Sequence, residues 1–98
     1  MTEVRFHPFA IVKILEVDDE YASISDKLVA RFRIEFDAAL DRLRRFPASH
    51  PQILGKYRWI RLRKFPYSLI YREKSPGVYK VVAFPHDRRR QAYWRSRK

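Results

Sequence analysis

The sequence of 98 residues has no cysteine and only two glycines. Without cysteine, the chain can form no disulfide and offers no thiolate as a nucleophile or as a metal ligand. Two glycines are also too few for the glycine-rich loops that cradle the phosphates of nucleotides. The composition therefore excludes a disulfide-rich scaffold, thiol catalysis and a nucleotide-binding fold.

Long apolar runs and a secretory signal are missing as well. No stretch approaches the roughly 20 apolar residues that a membrane-spanning helix needs. The N-terminus carries Glu3, Arg5 and His7 where a signal peptide would have an apolar segment. These features predict a cytoplasmic protein that does not associate with a membrane.

Motifs for metal binding and hydrolysis are not present either. The histidines, His7, His50 and His86, form no pair at the spacing of metal ligands. No serine has the glycine-flanked neighbours of a hydrolase nucleophile. We therefore expect neither a metal nor a cofactor, and we interpret the acidic stretch Asp18–Glu20 as a solvated helix surface.

Negative charge is scarce in one half of the chain. Residues 1–49 hold eight Lys or Arg and nine Asp or Glu, a net charge of −1. Residues 50–98 hold fourteen Lys or Arg and two Asp or Glu, a net charge of +12. Positive charge concentrated in this way attracts phosphate backbones, acidic proteins or anionic membranes.

The N-terminal half has the pattern of a strand followed by a helix. Thr2–Phe6 alternates weakly, as a strand does. Pro8 suits the first turn of a helix, which is predicted to reach about Tyr21. The residues predicted to form its helical stripe are Val12, Leu15 and Asp19, or alternatively Ile11, Ile14 and Leu15.

A second helix is predicted after a short break. Ser25 and Asp26 are good N-cap residues, and Phe46-Pro47 ends the helix because a residue before proline leaves the α region. Core-facing residues fall at steps of three and four, as on an amphipathic helix. They are Leu28, Phe32, Phe36, Ala39, Leu40 and Leu43. The short break makes the two helices an antiparallel hairpin.

Three strands are predicted in the C-terminal half. They are Lys56–Arg63, Tyr67–Arg72 and Val78–Phe84. Pro66 lies at the corner between the first two, and Ser75-Pro76-Gly77 predicts a tight turn before the last. With 46% hydrophobic and 15% aromatic residues, the chain is expected to fold. We predict a single domain over residues 1–98, of the α+β class, in which the helical hairpin packs on one face of a small antiparallel sheet.

Basic and aromatic residues recur along these strands and after them. Metal-free RNA cleavage needs a base, an acid and cations around one phosphate. The side chains that could supply them are Arg61, Arg63, Arg72, His86 and Tyr93. His86 is expected at the edge of the sheet near Arg72, and its alternative role is to cap the end of the last strand.

Further basic and aromatic residues are candidates for binding a target or nucleic acid. They are Lys64, Arg88, Arg89, Arg90, Trp94 and Arg95. For Trp94 we favour a second role, in which it anchors the C-terminal segment on the core, because a large aromatic side chain is costly to expose.

The order of these motifs resembles the ParE/RelE superfamily of bacterial type II toxin–antitoxin toxins, and within it the ParE-like branch. The resemblance covers essentially the whole chain. The segments that carry it are Val4–Pro8, Tyr21, Arg31-Phe32, Arg63–Tyr67, Tyr71-Arg72, His86, Arg88-Arg89 and Tyr93-Trp94. The ribonuclease branch usually carries a catalytic arginine where this chain has Asp87, which favours the ParE-like branch.

The resemblance implies the toxin of a bacterial type II module, held inactive by a cognate acidic antitoxin. ParE-like members poison DNA gyrase, whereas RelE-like members cut messenger RNA in the ribosome. We expect DNA gyrase as the target, with ribosome-dependent, metal-free cleavage of mRNA as the alternative. A small basic nucleic-acid-binding module and an inactive relative of these toxins are further alternatives. The oligomeric state is left open.

Overall fold

The computed structural model describes residues 2–88 and 93–97. These residues form a strand, two helices and then four more strands. The elements are β1 (Glu3–Phe6), α1 (Pro8–Ile24), α2 (Asp26–Arg45), β2 (Gln52–Leu54), β3 (Tyr57–Arg61), β4 (Ser68–Ser75) and β5 (Val78–Ala83). A short 3-10 helix, Tyr93–Ser96, follows them.

The strands form one mixed sheet in the order β1-β5-β4-β3-β2. The predicted α+β class, with a helical hairpin packed on the sheet, is confirmed. The sheet differs from the predicted antiparallel one at both edges. β1 runs parallel to β5, with Glu3 opposite Val78, and β2 lies in a segment for which the sequence predicts no strand. Alternation within a strand carries no information about such a distant partner, which is why the parallel edge was not predicted.

Helix α1 begins at Pro8 as predicted, with His7 as a cap that the sequence analysis did not identify, and α2 begins after the predicted cap Ser25. Nδ1 of His7 accepts the backbone N–H of Phe9 at 3.1 Å, and Pro8 occupies the first turn of α1. Oγ of Ser25 accepts the backbone N–H of Leu28 at 2.9 Å and so caps α2. Each cap satisfies a donor that the helix itself leaves unpaired.

Helix α1 buries a side that shares only Ile14 with the predicted stripe. Its buried or partly buried residues are Ala10, Ile14, Val17 and Tyr21. The predicted stripe is wrong at Ile11, Val12 and Leu15, which are 44%, 52% and 58% exposed. Apolar residues fill almost every position from Phe9 to Leu15, so their spacing does not select one side of the helix.

Helix α2 buries the side that the sequence predicts. Phe32, Ala39, Leu40 and Leu43 are buried, and Leu28 and Phe36 are partly buried against the same core. The ring of Phe32 lies 5.5 Å from that of Phe65 and 6.2 Å from that of Phe84, both edge to face. Aromatic rings from α2, from the turn before β4 and from the end of β5 therefore meet at one point in the core.

Tyr71 on β4 ties the sheet to the segment that follows α2. Its side chain has no exposed surface, and its hydroxyl donates to the carbonyl oxygen of Pro47 at 2.7 Å. Burial raises the pKa of Tyr71 to about 12. The phenol therefore stays neutral and keeps this hydrogen bond at physiological pH.

A bidentate ion pair joins the two helices at the surface. Nε and Nη2 of Arg33 each lie 2.8 Å from a carboxylate oxygen of Asp18. The hydrogen bonds from Arg33 lower the pKa of Asp18 below its ordinary value of 3.8. The pair therefore stabilises the fold above that ordinary value, and its contribution is lost as the pH falls through the lower pKa of the folded state.

Candidate functional site

We call the face of the sheet turned away from the helices the outer face. Successive side chains of a strand point to opposite faces of the sheet, so the residues next to those of the helix-side core point to the outer face. Its buried side chains form a second cluster of Ile70, Val82, Ala83 and Trp94, with Leu54, Tyr57 and Trp59 packed against them. Trp94 comes from the 3-10 helix and is 4% exposed, so the C-terminal segment covers part of this face.

A pocket of about 390 Å³ lies on the outer face where β3 ends and β4 begins. Its apolar lining consists of Ile53, Trp59, Ile70, Pro85 and Trp94, and its polar lining of Arg61, Ser68, His86 and Asp87. Three residues predicted from the sequence meet here: Arg61 and His86 from the catalytic set, and Trp94 from the binding set. The pocket combines an apolar surface with a small set of polar groups, as binding sites commonly do.

Arg61 is paired with a carboxylate in this pocket. Its Nη2 lies 2.8 Å from Oδ2 of Asp87, and Oγ of Ser68 donates to Oδ1 of the same carboxylate at 3.4 Å. The backbone N–H of Asp87 donates to the carbonyl of Pro66 at 2.8 Å and holds Asp87 beside β4. Because the carboxylate competes with any phosphate for the guanidinium, Arg61 is poorly placed to stabilise a phosphorane.

His86 holds the chain in place after β5. Its Nδ1 accepts the backbone N–H of Arg88 at 3.1 Å, and its ring packs edge to face on Tyr67 at 5.2 Å. The backbones of His86 and Tyr67 form an isolated β-bridge. Since Nδ1 is an acceptor, a neutral His86 carries its proton on Nε2. These contacts match the capping role that the sequence offers as the alternative to catalysis.

Arg72 lies away from this pocket. Arg72 pairs with Lys80, whereas His86 pairs with Tyr67. Tyr67 lies five positions before Arg72 in the sequence. At the rise of a strand, five positions separate the two sites by roughly 16 Å. The expectation that His86 lies near Arg72 is wrong, because the chain continues past β5 before it reaches His86.

Arg63 belongs to another basic cluster. It lies with Lys64 in the turn between β3 and β4, which is closed by a 2.9 Å hydrogen bond from the N–H of Leu62 to the carbonyl of Tyr67. Lys64 has a φ of 68°, a left-handed conformation that costs energy in a non-glycine residue. Burial and the charge of Arg63 lower the pKa of Arg42 on α2. The positive charge of Arg63 therefore acts on Arg42 at the end of α2, and not on the pocket that contains Arg61.

The C-terminal segment is anchored on the outer face, as favoured for Trp94. The ring of Trp94 packs edge to face on Tyr57 at 4.6 Å, and the hydroxyl of Tyr57 donates to the carbonyl of Arg95 at 3.1 Å. Nη1 of Arg97 donates to the carbonyl of Val82 at 2.8 Å. Side-chain and backbone contacts thus hold residues 93–97 against β3 and β5.

The remaining predicted residues are dispersed. Tyr93 lies on the 3-10 helix, where the guanidinium of Arg97 is 5.0 Å from its ring centroid. The predicted binding residues Lys64, Arg88 and Arg95 are exposed, whereas Trp94 is buried. Arg89 and Arg90 lie outside the described residues.

Sequence reasoning missed a row of cations on the outer face, which we call the cationic row: Arg5, Lys80 and Arg72. Arg5 on β1 is the register partner of Lys80 on β5, and Lys80 is the partner of Arg72 on β4. Desolvation and the charges of Lys74, Arg72 and Arg5 lower the pKa of Lys80. Alternation along β5 indicates that Lys80 faces outward, but only the parallel pairing of β1 places Arg5 beside it.

Helix α1 leaves apolar side chains uncovered, which we call the α1 apolar surface: Phe9, Ile11, Val12 and Leu15. Their exposed fractions are 63%, 44%, 52% and 58%. Positions three and four apart lie on the same side of a helix, so these side chains form one continuous patch. Such patches on a folded protein mark contacts with partners.

Among residues 2–88 and 93–97, no three His, Asp or Glu side chains lie together as metal ligands would. The same part of the chain has no helix that is both long and apolar enough to cross a membrane. The polar groups that line the pocket are the guanidinium of Arg61, the hydroxyl of Ser68, the imidazole of His86 and the carboxylate of Asp87, beside the aromatic surfaces of Trp59 and Trp94.

The family model for the ParE toxin of type II toxin-antitoxin system, parDE, matches residues 4–91, which is most of the chain. The chain belongs to the ParE toxin family. The family predicted from the ordered motifs is thereby confirmed. As a toxin of a type II toxin–antitoxin system, this ParE family member has an antitoxin as its implied partner.

A solved structure with the same fold is that of the chromosomal ParDE TA system from P. aeruginosa. The similarity has a TM-score of 0.72 and covers 88% of this chain and 96% of that chain, at 16% sequence identity. At this identity the likeness shows the fold. No curated protein matches the chain significantly.

Proposed function

We propose that this member of the ParE family inhibits growth by binding a protein target, DNA gyrase, and not by cleaving RNA. The observation that carries the proposal is the dispersal of the candidate nuclease side chains. Arg61 is paired with Asp87, His86 accepts a backbone N–H, and Arg72 lies roughly 16 Å along the strand. Acid–base cleavage of RNA needs such groups around a single phosphate.

Gyrase as the target follows from the resemblance to ParE-like toxins. Inhibition by a protein–protein contact requires exposed surface of the right chemistry and no convergent acid and base. This chain offers the α1 apolar surface and the strongly basic C-terminal half. Ribosome-dependent cleavage of mRNA is the second candidate, because Arg61 and His86 do line the same pocket.

The antitoxin is proposed to cover the α1 apolar surface in the cytoplasm. Phe9, Val12 and Leu15 are each more than half exposed, so covering them removes apolar area from water at no cost to the core. The net charge of +11 favours a partner segment rich in Asp and Glu. An amphipathic acidic segment that folds on binding meets both conditions.

The toxin is expected to block DNA supercoiling by purified gyrase and to cause gyrase–DNA cleavage complexes to accumulate. Ribosome-bound mRNA in a purified translation reaction should stay intact at the same toxin concentrations. Because Arg61 is already paired with Asp87, the Arg61→Gln variant should inhibit gyrase within about threefold of the wild type. Both reactions can be followed on gels with the same protein preparation.

Cleaved mRNA together with unaffected supercoiling would contradict the gyrase proposal. In that case Arg61→Gln should slow cleavage by at least about tenfold, since a nuclease would depend on the one predicted cation in the pocket. A protein that leaves growth, supercoiling and mRNA unchanged would be an inactive relative of the toxins.

Introducing charge on the α1 apolar surface is expected to abolish antitoxin binding. The double variant Val12→Glu/Leu15→Glu places two carboxylates where an acidic, apolar-faced segment would dock. Central contacts in an interface commonly contribute about 2 kcal/mol or more each, so the affinity should fall by roughly 100-fold or more. Titration calorimetry with the cognate antitoxin measures this loss.

The matched control for this variant is Ile34→Glu on α2. Ile34 is 66% exposed and lies outside the α1 apolar surface. Its substitution should leave the affinity and the melting temperature unchanged. Equal binding of the antitoxin to the wild type and to the Val12/Leu15 double variant would remove α1 as the docking surface.

A further inference from the structure

The cationic row is a geometric unit that spans three strands. Arg5, Lys80 and Arg72 occupy consecutive register positions on β1, β5 and β4. Their neighbours Val81 and Tyr71 pack in the helix-side core, so the three cations point to the outer face. Adjacent strands lie about 4.8 Å apart, and the backbones that carry the three cations therefore fall within roughly 10 Å.

The cations of the row repel one another. Like charges directly opposite one another on neighbouring strands destabilise a sheet. Lys74, two residues beyond Arg72, adds to the positive field that lowers the pKa of Lys80. Glu3 pairs with Arg5 and offsets part of the repulsion at one end of the row. Positive charge gathered in this way on one surface attracts anionic partners.

We propose that the cationic row, together with Lys74, binds the phosphodiester backbone of nucleic acid. A duplex presents about one negative charge per 1.7 Å of its axis, which matches a dense line of cations. Exposed large apolar side chains are found mostly on α1 and α2, on the other side of the sheet. The row therefore offers charge without an apolar groove, which suits phosphates better than an amphipathic acidic peptide.

This inference does not depend on gyrase being the target, because it concerns the isolated protein. A toxin without any effect on gyrase could still bind nucleic acid through the row. Conversely, gyrase inhibition could persist when the row is neutralised. The two proposals therefore fail on different measurements.

The test replaces three cations by glutamine, in the variant Arg72→Gln/Lys74→Gln/Lys80→Gln. The matched control is Lys27→Gln/Arg31→Gln/Arg44→Gln, which removes the same charge from exposed positions on α2. Fluorescence anisotropy measures the affinity of each protein for a labelled 20-base-pair DNA duplex and for a labelled single-stranded 20-nucleotide RNA. Each titration is repeated over a series of salt concentrations.

We expect the row variant to bind the duplex at least about tenfold more weakly than the wild type at low salt. The slope of log affinity against log salt should become shallower by about 3 for the duplex and about 2 for the RNA, because each lost phosphate contact removes about 0.9 or 0.7. The control variant should change either slope by less than about 1. The probe whose affinity falls more in the row variant, DNA or RNA, is the one whose phosphates the row prefers.

Equal losses in the row variant and the control would overturn the proposal, since binding would then follow net charge alone. Unchanged affinity in the row variant would overturn it as well. Binding to poly-glutamate, as a model of an acidic protein, is measured in the same way. If the row variant loses binding to poly-glutamate but binds both nucleic acids as the wild type does, the proposal is also overturned. If the triple variant fails to fold, the single variant Arg72→Gln must still reduce the duplex slope by about 1.

Discussion

The Phe32→Ala variant is expected to lose about 3 to 5 kcal/mol of its free energy of unfolding. Phe32 is 1% exposed, and its ring contacts the rings of Tyr21, Phe36, Phe65 and Phe84 at centroid distances of 5.2 to 6.2 Å. Removing it leaves a cavity where both helices and the sheet meet. Because small domains are stable by only about 5 to 15 kcal/mol, this variant should be close to unfolding at 25 °C.

Urea denaturation followed by circular dichroism measures this loss. The matched control is Phe9→Ala, because Phe9 is 63% exposed and its truncation should change the stability by less than about 0.5 kcal/mol. Similar denaturation midpoints for the two variants would mean that the cluster around Phe32 does not dominate the core.

Replacing Trp94 by alanine is expected to lower the melting temperature by more than about 10 °C. Truncating a buried tryptophan costs about 3 kcal/mol, and 1 kcal/mol corresponds to about 4 to 8 °C in a domain of this size. Trp94 is 4% exposed and packs with Ile70, Val82 and Ala83 on the outer face. Its loss uncovers that cluster and removes the anchor of residues 93–97.

Arg95→Ala is the control for this experiment. Arg95 is exposed, and its backbone carbonyl, which accepts the hydroxyl of Tyr57, remains after the substitution. Its melting temperature should stay within about 3 °C of the wild type. A Trp94→Ala protein that melts like the wild type would show that the C-terminal segment adds nothing to the stability of the outer face.

The two helices show when apolar spacing predicts a buried side. On α2, charged residues separate the apolar ones, so the stripe from Leu28 to Leu43 has one interpretation, and it is confirmed. On α1, the stretch from Phe9 to Leu15 is apolar at all but one position. There the buried side is chosen by what the sheet can accommodate, and the surplus apolar residues remain exposed.

The sequence predicted some residues of the candidate site but not the distances between them. Arg61 is the last residue of β3 and His86 follows β5, and the two side chains line one pocket. The distance between His86 and Arg72 depends on how far β5 runs before the chain leaves the sheet, which local alternation does not specify. The ion pair of Arg61 with Asp87 likewise depends on the bridge that brings the end of β5 back to the start of β4.

By itself, the sequence determined the family, the α+β class, the caps and buried side of α2, and the excess of positive charge in the C-terminal half. The family follows from the resemblance of ordered motifs along the whole chain, and the other properties follow from composition and from patterns that repeat within a few residues of one another. Only the tertiary structure decided that β1 joins β5 in parallel and so completes the row of Arg5, Lys80 and Arg72. Only it decided that Trp94 covers the outer face. Contacts between positions this far apart arise from the packing of the whole chain, in which every element competes for the same core, and no local pattern records the result.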